Sequence, residues 1–172
     1  MIITNGKIVT WGDPNEIIED KALLIQDGLI QKIADQAELK AAHPGEEVLD
    51  AQGQMVMPGL ICAHTHFYGA FSRGMAIPGE PSRNFQEILA NLWWKLDKGL
   101  DEEGVKYSAL ALLADATRYG CTTLFDHHAS PNCIDGSLDI EAQAVLESGL
   151  RASLCYEVTD RDGEEKALAG IR

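Results

Sequence analysis

Basic residues are scarce in this chain. Fourteen Lys and Arg stand against 27 Asp and Glu, a formal charge of -13. A field of that sign repels phosphate backbones and anionic lipid, so nucleic acid and membrane surfaces are excluded as expected partners. Aromatics make up only 6%, and cysteine is limited to Cys62, Cys121, Cys133 and Cys155. These four are widely spaced and include no C-x-x-C pair, which excludes a zinc knuckle and a dense disulfide framework. Reduced, mostly buried thiols in a cytoplasmic protein are expected. No apolar run approaches a membrane span, and the amino terminus (MIITNGK) lacks the basic region and apolar core of a leader peptide. Also missing are G-x-G-x-x-G, a P-loop and G-x-S-x-G, which leaves phosphate-cradling and serine-hydrolase chemistry without support.

What is present is a globular balance: 172 residues, 45% hydrophobic and 24% charged. Residues 1–57 read as short strands punctuated by tight turns. Asn5-Gly6 within MIITNGKIVT predicts a hairpin, Asp27-Gly28 predicts a second, and Gln52-Gly53 a third between Glu47–Asp50 and Gln54–Val56. A small antiparallel sheet, part of a β-sandwich, is the expectation, with a short helix over Gln36–Ala42.

After Pro58-Gly59 the rhythm changes. Leu60–His66 reads as a buried strand, Gly69–Pro81 as a working loop, and Phe85–Lys98 carries a helical apolar stripe. Asp101 is a predicted N-cap with Glu102 and Glu103 in the first turn, and Gly120 the stop. Strands over Cys121–His127 and Arg151–Val158, and helices over Leu138–Ser148 and Asp162–Arg172, complete the pattern. Strand–helix alternation implies a parallel sheet in an α/β fold over 58–172. Three strands fit, whereas a closed (β/α)8 barrel needs eight.

The sharpest constellation is Cys62-Ala63-His64-Thr65-His66. Side chains alternate along a strand, so His64 and His66 share a face with Cα atoms roughly 6.6 Å apart. Two imidazole nitrogens can then converge on one ion, at the carboxyl end of a strand where parallel folds build sites. Cys62 shares that face one layer deeper and is expected to pack. His127 and His128 are strand neighbours and point to opposite faces, so at most one enters an interior. Both are candidate substrate contacts, as is Arg73 in the first loop. Asp126 is expected to fix a strand-to-loop turn, Trp93 and Trp94 to pack, and the charge run Asp160–Lys166 to be a solvated helix start.

The run Pro58-Gly59-Leu60-Ile61-Cys62-Ala63-His64-Thr65-His66 closely resembles the first barrel strand of the amidohydrolase superfamily. Gly120-Cys121-Thr122-Thr123-Leu124-Phe125-Asp126 resembles its second strand, and the amino-terminal strands look like its accessory β-sandwich. Phe71-Ser72-Arg73-Gly74-Met75 and Asp126-His127-His128-Ala129-Ser130-Pro131-Asn132 are most similar to the cytosine deaminase and chlorohydrolase branch. The resemblance implies the first three βα units of a TIM barrel after part of a sandwich. It also implies a metal-dependent aminohydrolase acting on non-peptide C–N bonds, with metal-activated water attacking a nitrogen heterocycle. His64 and His66 match the first two ligands of a divalent ion, zinc, with iron or nickel also suited to imidazole. Further ligands and the acid/base residues are expected beyond residue 172, so the chain reads as an amino-terminal portion that is inactive alone. A small-molecule substrate is the implied partner, and the resemblance admits a homo-oligomer of the full-length protein. The alternatives are a truncated, inert product, or a chlorohydrolase or cyclic-amide hydrolase on the same fold.

Overall fold

The computed structural model describes residues 1–76 and 78–171; residue 77 of the predicted loop and residue 172 of the predicted last helix lie outside it. The chain divides into two compact units, Met1–Pro58 and Gly59–Arg172.

In the first unit β1 (Ile2–Thr4), β2 (Lys7–Val9), β3 (Ile17–Ile18), β4 (Ala22–Gln26) and β5 (Leu29–Ala34) precede α1 (Gln36–Ala42), β6 (Val48–Asp50) and β7 (Met55–Val56). The Asp27-Gly28 hairpin forms as predicted, β4 against β5, with both turn residues at positive φ (51° and 74°). The other two predicted hairpins do not form. β1 lies in a four-stranded sheet ordered β5-β4-β1-β6, and β2 in a three-stranded sheet ordered β3-β2-β7. The Asn-Gly and Gln-Gly turns carry two neighbouring segments, paired in parallel, from one sheet into the other. They bond to each other instead of folding back: Gly53 N–H donates to the Asn5 carbonyl at 2.6 Å and Lys7 N–H to that of Gln54 at 3.0 Å. The result is two small mixed sheets rather than one antiparallel sheet. Ile2, Ala22, Leu24, Ala34 and Leu39 form the unit's core.

The second unit begins with β8 (Leu60–Thr65), followed by a 3-10 segment, Phe67–Ser72. Next come α2 (Phe85–Ile88), a π-helical turn (Leu89–Trp93), α3 (Trp94–Leu96) and α4 (Glu102–Arg118). β9 (Cys121–His128), α5 (Ser137–Ser148), β10 (Arg151–Tyr156) and α6 (Glu164–Ala169) complete it. Asp101 caps α4 as predicted, its Oδ1 accepting from Gly104 N–H at 2.8 Å. β8, β9 and β10 form one parallel sheet with β9 in the middle. At Gly59 the chain runs so close to β9 that a Cβ would lie 2.1 Å from the Thr122 side chain. Only glycine admits that approach, which seats β8 beside β9.

One face of this sheet is covered. Leu124 packs with Ala109, Leu113 and Ala116 of α4, Ala144 and Val145 of α5, and Phe67. The other face is open, with Ile61 at 65% and Phe125 at 46% exposure. The charge run at 160–166 is not wholly solvated. Arg161 turns inward to Asp97 Oδ2 at 2.6 Å and stacks 5.5 Å above the Trp94 ring, because Asp97 is buried and needs a cation. Among the described residues no helix is long and apolar enough to cross a membrane.

Candidate metal centre

At the carboxyl end of β8 the pairing with β9 slips between Cys62 and Thr65. The slip breaks alternation. Cys62 packs against the helix-side core, not on the histidine face as strict alternation predicts, whereas Ala63, His64 and His66 line the open face. Cys62 is the packing thiol it was expected to be, by a different route.

The two imidazoles converge. His64 Nε2 and His66 Nε2 lie 3.1 Å apart. His66 Nδ1 lies 2.7 Å from the backbone carbonyl of His127. A carbonyl only accepts, so Nδ1–H donates and Nε2 of the neutral ring presents its lone pair toward His64. Burial holds the His66 ring below the usual histidine pKa, with the His127 carbonyl opposing, and that favours the neutral form. Two nitrogens bound at 2.0–2.1 Å in a tetrahedral site would be about 3.3 Å apart, so the pair fits a divalent ion of zinc's kind.

A cavity of about 450 Å³ opens over the pair, lined also by Phe125, His127, Ser153 and Cys155. His127 stands there, its ring 5.5 Å from that of His66. Trp93 packs as expected, against the Tyr68 cluster, and its ring lies 5.5 Å from His66 and 5.7 Å from Tyr68. Two other sequence candidates are elsewhere. His128 is completely buried on the helix side, bonded to Ser130 Oγ at 2.9 Å and facing Glu141 at 2.8 Å. Arg73 is exposed and bound to Asp115 of α4 and to the Ala70 carbonyl, off the cavity.

Asp126 does fix a strand-to-loop turn, but that of β8. Its Oδ1 accepts from Phe67 N–H at 2.6 Å and from the Thr65 hydroxyl at 3.0 Å. Burial, with the Glu141 carboxylate beside it, pushes Asp126 up to about 8. Glu141 was not singled out from sequence. The signal was available: the helical period places it with Ser137, Ala144 and Val145 on the inward face of α5, where a carboxylate is out of place.

Residues 55–171 match the amidohydrolase family. The chain is 33% identical over its whole length to the 5-methylthioadenosine/S-adenosylhomocysteine deaminase of Pyrococcus furiosus, and spans 37% of that relative. Its fold is similar to E. coli guanine deaminase, with a TM-score of 0.77 at 20% identity over 96% of this chain and 39% of that one. It is similar too to atrazine chlorohydrolase TrzN from Arthrobacter aurescens TC1 complexed with zinc, with a TM-score of 0.73 at 21% identity over 90% and 35%. With two converging imidazoles at the end of its first parallel strand, the chain belongs to the amidohydrolase family.

Proposed function

We propose that this chain carries the opening part of a metal-dependent deaminase site. Residues 1–57 supply part of a β-sandwich, and 58–172 the first three βα units of a closed barrel. The observation that carries the reading is the 3.1 Å approach of His64 Nε2 to His66 Nε2, with the His66 tautomer set from behind. A divalent ion held by the two, such as zinc, would supply Lewis acidity that activates water as a nucleophile at neutral pH. The protein's own part is to hold that pair and shape the space above it. The apolar Phe125 face suits a planar ring, and His127 is a polar contact at its edge. Further ligands and proton-transfer groups belong to the rest of such a site.

Deamination of a nitrogen heterocycle is favoured over dechlorination because the relative at 33% identity is a 5-methylthioadenosine/S-adenosylhomocysteine deaminase. Calorimetric titration with Zn²⁺ tests the metal: binding should disappear in the double variant H64A/H66A, and binding that survives both substitutions overturns the assignment. Ammonia release from an aminopurine, against chloride release from a chlorotriazine, tests the reaction in metal-loaded protein that carries the remaining ligands and proton-transfer groups. Chloride without ammonia would replace the deaminase reading.

A further inference from the structure

The helix side of β9 holds a cluster of which only Asp126 borders the cavity. Asp126, His128 and Glu141 are each at most 2% exposed, and their ligand-type atoms lie within 4.8 Å of one another. Buried carboxylates are costly unless each oxygen finds a hydrogen. Here Asp126 Oδ2 and both Glu141 oxygens meet no N–H or O–H donor among the described residues. The three groups therefore have mainly one another for partners.

The Ser130 hydroxyl donates to the Cys133 carbonyl at 2.6 Å, so it can only accept from His128 Nε2–H. His128 Nδ1 faces Glu141 Oε1 across 2.8 Å, and Asp126 lies beside them, its carboxyl raised by burial and by the Glu141 carboxylate. Ser130, His128, Glu141 and Asp126 thus form one contiguous chain of polar side chains.

The chain ends on the neighbours of a single residue. Asp126 Oδ1 takes the N–H of Phe67 and the hydroxyl of Thr65, the residues on either side of His66. The next residue of β9, His127, takes the His66 ring proton with its carbonyl. Consecutive β9 residues thus hold His66 twice, Asp126 by its backbone surroundings and His127 by its ring.

We propose that Asp126 is a positioning residue for the His64/His66 pair, and that Glu141 and His128 act through it from the far face of the sheet. The affinity of the pair for a divalent ion then depends on a glutamate that never meets the ion. This rests on the reading of His64 and His66 as ligands.

Titration of the intact chain with Co²⁺, followed by its visible absorption, separates the two. Asp126→Ala should weaken Co²⁺ binding about tenfold and alter the ligand-field band, the lower end of what loss of an outer-shell partner costs. Asp126→Asn keeps an oxygen for Phe67 N–H and should stay within about twofold of the parent. Where Asp126→Ala does not fold, Thr65→Val and Glu141→Ala take its place, each expected to weaken binding a few-fold in protein whose circular dichroism is unchanged. Parental affinity and spectrum in these folded variants would overturn the proposal, as would Asp126→Asn binding as weakly as Asp126→Ala. The double variant H64A/H66A is the reference. Loss of Co²⁺ there with no effect at Asp126 defeats only the positioning role. Stoichiometric Co²⁺ retained there defeats the ligand reading, and loss of that ion in Glu141→Ala would give it to the buried cluster.

Discussion

His127 and His128 are the same residue type, one position apart on one strand, and they sit in opposite environments. His127 faces the open side with Phe125, in a cavity where an imidazole can meet a small molecule. His128 faces the helices with Leu124 and Asp126 and has no exposure. Strand alternation alone separates them. The open side brings two imidazole nitrogens together at a cavity, whereas the covered side packs its polar groups against one another out of solvent. Ligand chemistry is expected on the first face and stability on the second.

The largest expected effect tests that division directly. His128→Ala would leave Glu141 and Ser130 without their partner in a dry interior, at a cost of about 1–3 kcal/mol, the range for leaving a buried polar group unpaired. His127→Ala removes only a half-buried ring, and the carbonyl that orients His66 stays, so its cost should be within about 0.5 kcal/mol. Urea unfolding of both variants gives the comparison. Equal losses would mean that the two faces are not distinct.

How much of this was legible in the sequence depends on the range of the interactions. The H-x-H triplet, the Asp101 cap, the Asp27-Gly28 hairpin and the βα alternation are local patterns, and each is found where the residues predict it. The Asn5-Gly6 and Gln52-Gly53 turns are equally local, but their hairpins fail because each turn bonds to the other across some 45 residues, as Asn5 does to Asp50. Turn chemistry specifies a bend; it does not specify which strand comes next to it. Strict alternation puts Cys62 on the histidine face, and a one-position slip in pairing with β9 reverses it. Glu141 and Arg161 were missed for a related reason. A buried charge becomes understandable only beside its partner, and the partners, Asp126 and Asp97, come from other elements.

The second prediction sharpens the contrast through pH. The Asp126 carboxyl is held up to about 8 by burial and by Glu141, whereas an unfolded aspartate titrates near 3.9. Between those values the folded chain keeps a proton that the unfolded chain releases. The stability this group contributes is therefore complete below about pH 4 and is lost as pH rises through about 8. Asp126→Asn cannot titrate, so its melting temperature should fall less than the parent's between pH 6 and 9. Asp97, also raised by burial, is present in both proteins and cancels in the difference. Parallel melting curves across that range would show that the covered face holds no such proton.

The smallest effect belongs to Arg73, which the sequence offers as a substrate contact beside His127. Its side chain is 60% exposed and paired with an Asp115 that is itself 43% exposed, an arrangement worth about 0.2–1 kcal/mol at most. Arg73→Ala should change stability by no more than about 0.5 kcal/mol, much as His127→Ala does. Stability therefore cannot tell the two residues apart, and ligand binding can. His127 lines the cavity above the imidazole pair, whereas Arg73 is turned toward α4. Equilibrium binding of an aminopurine to the metal-loaded protein should weaken in His127→Ala and stay at the parental value in Arg73→Ala. The reverse order would place the recognition of the ring on the loop after β8, and take it away from the open face of β9.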